Sequence, residues 1–421
     1  MKKLLPIMVV LTMVLTALPT ILADECTDCL EDDLNEAEYP LDAEDIETTA
    51  TVAGSSGGSG GTGGDVPTGN SAPIIKAKWE YDLDVVINPE DCDPFPCDGG
   101  CDAGNWEHDA CPWTPGLQVK PILGCSVLVG YYAVVTDPEG IGTVSAIYAD
   151  IWHPDGSFKY QIQLLPIHVG DTAGAVAEWE HAVDCHNDLI TYNGYDEYEI
   201  WDELHQGEAW IFYGEALISY CQPGGWYYVG VRGHDSFGAW SEYLFNKFWY
   251  IPTAAIEVDF DTLNYGTCVI SSNKWIGGDD IMYDTNGKAT VRNIGNTPVN
   301  LLVWQDDMQF GMTGDSWNVI YDARLGAPTD NSYVSYEPFQ TCDLMPGVYI
   351  PGTLDLCTKE KLDFSIHVYK GFPTDPYTGL PLEYSGSMKL FAAMDGEPYW
   401  LTPMPFIQNA PLGVPDIYPG P

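Results

Sequence analysis

The sequence is poor in basic residues: 16 lysines and arginines stand against 62 aspartates and glutamates in 421 residues, a formal net charge of −46. A chain of this charge repels phosphate backbones and anionic lipid, which excludes nucleic acid and membrane surfaces as partners. The acidic composition instead favours cations and cationic surfaces as partners. The acidity has three readings that composition does not separate: cation binding, salt adaptation, and simple solubility of an exported protein.

Several other features are also missing. No second apolar stretch of about 18 residues follows the N-terminus, so no internal membrane span is expected. No Asn-x-Ser/Thr triplet occurs, so N-linked glycan is not expected. The zinc-protease motif His-Glu-x-x-His and a phosphate-binding lysine loop are both absent. These absences make a secreted hydrolase the least favoured class of function.

The first 23 residues have the layout of an export signal. Met1-Lys2-Lys3 forms a positive head, residues 4–22 are apolar apart from three threonines, and Ala23 precedes an abrupt change to acidic sequence. Pro6 and Pro19 interrupt the run, which favours cleavage over a retained anchor. We therefore expect a secreted or cell-surface protein of about 400 residues, with no membrane insertion after cleavage.

Composition divides the rest of the chain into an arm, two modules and a tail. Residues 24–47 hold twelve acids and no base, and a Gly/Ser linker follows, so residues 24–72 are predicted to be disordered. The first module is predicted over 73–253 and the second over 254–395. Residues 396–421 form a proline-rich tail.

Apolar residues alternate with period two along both modules, which predicts antiparallel β-sandwiches. Asn286-Gly287 predicts a hairpin between 280–285 and 288–293. Residues 195–220 instead place apolar side chains at helical spacing, which predicts a helical insertion in the first sandwich. Strands are predicted at 127–135, 144–152, 158–164, 227–231, 242–251, 256–260, 364–368 and 388–392.

The segments Ile256–Phe260, Thr290–Val299 and Tyr384–Met388 resemble immunoglobulin-like β-sandwich domains of secreted prokaryotic, especially archaeal-type, cell-surface proteins. The resemblance covers about a third of the chain and rests on strand and turn patterns, which carry a fold and not a catalytic role. It implies an all-β protein of two consecutive immunoglobulin-like antiparallel β-sandwiches, with an envelope, adhesive or filament-forming role.

The twelve cysteines should pair as disulfides in an exported protein. We predict a Cys342–Cys357 bridge, which closes a loop of about 15 residues and stabilises by about 3 kcal/mol. Because each module holds an odd number, either one bridge joins the modules or some thiols stay reduced. A zinc site with His108 fits no common finger spacing. The cysteines whose partners stay open are Cys26, Cys29, Cys92, Cys97, Cys101, Cys111, Cys125, Cys185, Cys221 and Cys268.

Acidic side chains crowd two loops that are candidates for binding calcium, the one cofactor that the sequence predicts. The candidate ligands are Asp91, Asp93, Asp98 and Asp102 in one loop and Asp279, Asp280 and Asp284 in the other. Neither loop has the helix–loop–helix register, so solvated turns are the alternative. Asp202, His205 and Glu208 could share a helical face for metal binding or proton transfer, although a solvated acidic face is favoured.

Aromatic residues make up 13% of the chain, enough to supply both a core and a binding face. Candidates for a glycan or partner face are Trp226, Tyr228, Trp240 and Trp249. The sequence favours a non-catalytic structural or adhesive protein of the cell envelope that contacts other copies of itself or other envelope proteins, as a subunit of an extracellular assembly. A secreted glycan-binding protein is the alternative.

Overall fold

The computed structural model describes residues 70–83, 117–185, 189–283, 287–339, 347–371 and 383–395, together with the backbone of residues 10–15. Residues 24–69 of the predicted arm, the cysteine-rich segment 84–116 and the tail 396–421 lie outside these ranges. The described part of the chain is mostly β-sheet with two short α-helices, which confirms the all-β prediction. No helix within these ranges has the length and apolar character of a membrane span.

The first module contains nine strands in one continuous sheet, in the order β3-β10-β9-β5-β6-β8-β4-β2-β7. Elements in chain order up to residue 250 are β1 (Val10–Leu15), β2 (Ile74–Asp82), β3 (Gln118–Val119), β4 (Ser126–Thr136), β5 (Val144–Trp152), β6 (Phe158–Ile167), α1 (Thr172–Cys185), β7 (Ile190–Thr191), α2 (Glu197–Gln206), β8 (Ala209–Ser219), β9 (Gly225–Asp235) and β10 (Leu244–Tyr250).

This sheet folds over so that its two halves face each other across one core. Strand β6 joins the halves, because it pairs with β5 along most of its length and with β8 at its end. Across the core, Lys78 on β2 donates to the carbonyl of Val229 on β9. The two helices pack on the outside of β2 and β4, where Trp79 lies 6.1 Å from Trp179, ring centroid to ring centroid.

The predicted helical insertion is correct for α2 and wrong beyond it. The αL residue Gly207, at φ 75°, ends α2 and donates to the carbonyls of Glu203 and Leu204. Residues 209–219 then form β8, which pairs with β4 over all eleven positions. The sequence prediction failed here because the apolar residues of 209–219 fit both the helical period and the strand period. Helix α1 was not predicted.

The second module has two large sheets around a common core, and a small two-stranded sheet formed by residues 312–313 and 316–317. One has the order β12-β1-β22-β15-β20, and the other has the order β11-β14-β21-β18-β19 with β13 also paired to β21. Its elements are β11 (Ile256–Val258), β12 (Thr262–Thr267), β13 (Ser272–Ile276), β14 (Thr290–Asn293), β15 (Val299–Gln305), β16 (Met312–Thr313), β17 (Ser316–Trp317), β18 (Val319–Leu325), β19 (Val334–Tyr336), β20 (Val348–Leu354), β21 (Lys359–Val368) and β22 (Glu383–Met394).

The second module contains the strands that the sequence predicts but not the predicted hairpin. The predicted hairpin between 280–285 and 288–293 is wrong for β14, because both of its edges pair with other strands, β11 and β21, and residues 284–286 lie outside the described ranges. The predicted strands near 256–260, 364–368 and 388–392 are present as β11, β21 and β22. The immunoglobulin-like topology itself stays a prediction.

The two modules are joined covalently by a disulfide between Cys221 and Cys357, whose Cα atoms lie 4.9 Å apart. This confirms the option of one bridge between the modules. The predicted Cys342–Cys357 pair is wrong, because Cys357 has a different partner, and Cys342 lies outside the described residues. Proximity in sequence had favoured the short loop, whereas the fold places Cys357 at the end of the second module that meets the first.

Backbone hydrogen bonds surround this bridge. Gly124 N donates to Ile294 O at 2.9 Å, and Gly224 N donates to Asn296 O at 2.7 Å. The Asn296 side chain accepts from Thr253 N at 2.6 Å. The junction therefore lies at the end of β4 where Ser126 begins the strand, and at the end of the second module where β15 begins.

Candidate functional site: an aromatic sheet face

One sheet face of the first module carries aromatic side chains where an exposed face usually carries polar ones. Along β9 the buried core residues alternate with half-buried residues. Because side chains on a strand alternate between faces, the half-buried set lies opposite the core. Strands β10 and β5 extend the same face on either side. We call it the aromatic face, and its strand residues are Tyr148, Asp150, Trp152, Trp226, Tyr228, Gly230, Arg232, His234, Phe245, Lys247 and Trp249.

Strand register sets these side chains in rows across the sheet. Trp249 lies opposite Trp226, and their ring centroids are 4.9 Å apart. In the next row Lys247, Tyr228 and Trp152 stand side by side on β10, β9 and β5. The Lys247 ammonium lies 4.2 Å from the Trp226 ring centroid, a cation–π contact. One end of the face is thus an aromatic platform with a single positive charge.

Gly230 forms the floor of the middle row. A Cβ at this position would lie 2.6 Å from Phe245 Cε1 and 2.9 Å from Tyr243 Cδ1, so both rings occupy the space that a side chain would fill. The two rings stack with centroids 5.0 Å apart. Phe245 also packs against Trp152 at 5.8 Å. The glycine therefore lets rings from β10 lie flat over β9.

A polar cluster lies beside these rings. The carboxylate of Asp150, which is buried, accepts from the Tyr243 hydroxyl at 2.5 Å and from Gln161 Nε2 at 2.6 Å. Arg232 Nε lies 3.6 Å from the same carboxylate. Burial, together with the hydrogen bond and the charge of Asp150, raises the pKa of Tyr243, so its hydroxyl stays a donor beyond the pH at which a free tyrosine ionises.

Arg232 is held between two rings at the far end of the face. Its guanidinium carbon lies 4.6 Å from the Tyr243 ring centroid and 4.8 Å from the Trp240 centroid. Trp240 is 48% exposed and packs against His234 at 4.6 Å. The Arg232 side chain is 35% exposed, so it offers donors to a ligand lying on the surrounding rings.

All four sequence-predicted face residues lie on this surface. Trp226, Tyr228 and Trp249 form its platform end, and Trp240 lies beside Arg232 at the other end. The residues that link the two ends were missed, although strand alternation on 144–152 and 242–251 placed most of them outward. Those residues are Tyr148, Asp150, Trp152, Gln161, Arg232, Tyr243 and Phe245.

The calcium candidates are only partly described. Asp279 Oδ2 lies 3.3 Å from Lys288 Nζ, and Asp279 Oδ1 accepts from Ile281 N at 3.1 Å. Of the other candidates, the structure describes Asp280. The candidates outside the described residues are Asp284 and the four aspartates of the other loop, Asp91, Asp93, Asp98 and Asp102. No metal-binding group of three acidic, histidine or cysteine side chains occurs in the ranges described. Calcium binding stays a prediction.

The other candidates do not form a site in the described structure. Asp202, His205 and Glu208 are exposed on and after α2, and His205 stacks on Trp201 with centroids 5.0 Å apart. Cys268 is buried, its thiol lies 4.0 Å from Tyr265 O, and burial raises its pKa. Cys125 is buried in the first module. Cys92, Cys97, Cys101 and Cys111 lie outside the described ranges, as does the side chain of Cys185.

Comparison with known proteins identifies no family. No family model matches the chain, and no curated protein matches it. The solved structure named BspA_C_WT aligns with a TM-score of 0.17 at 12% identity, covering 67% of this chain and 92% of that one. The C-terminal domain of the Streptococcus agalactiae AgI/II polypeptide BspA aligns with a TM-score of 0.16 at 11% identity, with the same coverage.

A cycloalternan-degrading enzyme from Trueperella pyogenes, in complex with cycloalternan, also aligns with a TM-score of 0.16 at 11% identity. That match covers 65% of this chain and 34% of the enzyme. TM-scores this low carry no argument about function. The named organisms are bacterial, so the archaeal character of the resemblance gains no support from them.

Proposed function

We propose that this chain is a non-catalytic adhesive protein of the cell exterior that binds glycan through the aromatic face. The observation that carries the proposal is the placement of Arg232, which Tyr243 and the buried Asp150 hold in position, among half-buried and exposed aromatic rings. Sugar rings have apolar C–H faces that pack on aromatic side chains, and hydroxyl edges that need donors and acceptors. The aromatic face offers both kinds of group within one surface.

The Arg232 guanidinium, which supplies donors for sugar hydroxyls, is held in place before a ligand arrives. Asp150 is fixed by Tyr243 and Gln161, and Arg232 is fixed by Asp150 and by two rings. Groups that are already ordered lose less conformational freedom on binding, which favours affinity. The face is also broad: Trp226 and His234 are eight residues apart on β9, about 26 Å along the strand. An extended saccharide chain matches that length better than a single sugar.

Two features support a location of the protein outside the cell. The sequence predicts an export signal at residues 1–23, and the Cys221–Cys357 bridge is typical of an oxidising compartment. We also propose that the two modules are immunoglobulin-like domains of the archaeal type. We propose further that the protein is a subunit of an extracellular assembly.

A printed glycan array screened with the purified mature protein tests glycan binding, and Trp240→Ala supplies the site-specific variant. We expect a bound glycan whose affinity falls at least tenfold in Trp240→Ala, because loss of a stacked anchor costs about 2 kcal/mol. Trp275→Ala is the matched control, since Trp275 is 47% exposed on the second module. A protein that binds nothing on the array, or a Trp240→Ala variant that binds as tightly as the parent, contradicts the proposal.

A further inference from the structure

Strand β1 completes a sheet of the second module from a distant part of the chain. Its six residues, Val10–Leu15, run parallel to Glu383–Met388 of β22 and antiparallel to β12. Among the described strands, β12 pairs with β1 alone. The N-terminal hexapeptide is therefore the only described backbone link between β12 and the rest of that sheet.

The same hexapeptide lies inside the predicted export signal. Removal of residues 1–23 takes β1 away and opens a slot one strand wide between β12 and β22. The slot is about 9.6 Å across, twice the spacing of neighbouring strands. Its walls are unpaired edges, and the core side chains Leu263, Tyr265, Tyr384 and Met388 lie along them. Exposed edges backed by apolar residues pair readily with another strand.

We propose that in the mature protein this slot is filled by a strand from a second copy of the chain, the segment Thr48–Ala53. This segment has six residues, as β1 has. It carries no charge, and four of its residues, Thr48, Thr49, Thr51 and Val52, are β-branched. Twelve acids precede it and a glycine-rich linker follows it. Within residues 24–72 it is the stretch best suited to add to a sheet.

The distance between the far ends of the two modules favours a second copy, and not the same chain, as the source of the strand that fills the slot. Strand β2 begins at Ile74, which pairs with Thr136, at the end of β4 opposite the junction. That is about 33 Å from the junction along the strand. In the second module, β22 residues 383–388 lie about 20–36 Å from Met394, which pairs with Val299 near the junction.

The two lengths add up because the modules meet end to end at the junction, so the same chain would have to bridge up to about 55–70 Å between its slot and Ile74. Residues 54–73 would supply the link, and a Gly/Ser-rich chain of that length has a typical span of about 25 Å and a limit of about 70 Å. Filling the slot from within the same chain would need an almost fully stretched linker. A neighbouring copy can place its own segment there without that cost, and repetition produces a chain of subunits.

The test uses the mature protein, beginning at Asp24, with Thr51→Pro in the donor segment. Proline removes an N–H and fixes φ, so self-association should weaken about 100-fold. Ser56→Pro in the adjacent linker is the matched control. Light scattering after size-exclusion chromatography should show multimers for the parent and Ser56→Pro, and monomers for Thr51→Pro. A synthetic peptide of residues 47–54 should bind Thr51→Pro and restore slow hydrogen exchange in β12.

Three outcomes overturn the proposal. The first is a mature protein that is monomeric at its highest soluble concentration, whether or not its β12 amides are protected. The second is a Thr51→Pro variant that assembles like the parent. The third is a secreted protein whose N-terminal residue is Met1. Thr51→Pro should leave glycan binding unchanged, so failure here and failure of the proposed function are distinguishable.

Discussion

Lys78 and Glu80, two residues apart on β2, form an ion pair inside the core of the first module. Lys78 Nζ lies 2.5 Å from Glu80 Oε1, and neither side chain has any exposure. Asn246 on β10 completes the network, because its side chain accepts from Lys78 and donates to Glu80. The network links the two halves of the folded sheet and fixes how β2 faces β10.

Removing one charge of this pair should destabilise the protein far more than removing the whole network. Lys78→Met leaves the Glu80 carboxylate buried without its cation and should lower the free energy of unfolding by about 3–5 kcal/mol. The triple variant Lys78→Met, Glu80→Leu, Asn246→Leu leaves no polar group behind and should be more stable than the single variant. Urea denaturation measures both. As a control, Lys370→Met removes an exposed lysine and should change stability by less than about 0.5 kcal/mol. A triple variant less stable than Lys78→Met would contradict this account.

The disulfide between the modules should stabilise the chain strongly, because it closes a loop with a sequence separation of 136 residues. The double variant Cys221→Ser, Cys357→Ser should lose about 3–5 kcal/mol on the chain-entropy model. Mass spectrometry of a non-reduced digest tests the pairing directly. A peptide linking residue 221 to residue 357 is expected, and one linking 342 to 357 would show that the sequence prediction was right after all.

Alkaline pH should unfold the protein through its tyrosines. Burial raises the pKa of Tyr131, Tyr227, Tyr321 and Tyr336 well above the ordinary value of 10.0, and that of Tyr160 to about 12. A raised folded-state pKa means that the unfolded chain ionises first. Stability is therefore fully present below pH 10 and falls as pH rises through 10 toward the folded-state values.

Absorbance at 295 nm measures this titration. The buried tyrosines should ionise above pH 10, together with the loss of circular dichroism. The urea-unfolded chain is the control and should show one class near pH 10. If the tyrosines of the folded protein titrate in the same single step as those of the unfolded chain, they are not buried.

Strand periodicity predicted the parts of the fold in which one face is buried and the other is not. Strands β4, β5, β6, β9 and β10 fall where alternation placed them, and the loop at 153–157 joins β5 to β6 as expected. Alternation fails where apolar residues satisfy two periods at once, as in β8. It also cannot reveal partners distant in sequence, such as Cys221 with Cys357 or β14 with β21.

The candidate site was predictable in part for the same reason. Tryptophan content drew attention to Trp226, Trp240 and Trp249, and the structure brings them to one face. Their polar neighbours were not found, because Asp150 and Arg232 look like ordinary surface residues until the β5–β9 register places them together. The burial of Lys78 was not predicted either, because Asn246, which completes its network with Glu80, lies 168 residues away in the sequence.

Gly230 offers a test of the aromatic face that leaves every ring in the protein. Gly230→Ala adds one methyl group where Phe245 and Tyr243 now lie, and the nearest contacts are ring atoms that can swing aside. Displacing the two rings should separate Tyr243 from Asp150 and weaken glycan binding at least tenfold, about 1.4 kcal/mol. Gly142→Ala is the control, because a Cβ there meets nothing within 4 Å. Calorimetric titration with the best glycan from the array, alongside thermal melting, separates loss of binding from loss of fold. Unchanged affinity in a Gly230→Ala protein with a displaced Tyr243 would remove the middle row from the binding surface.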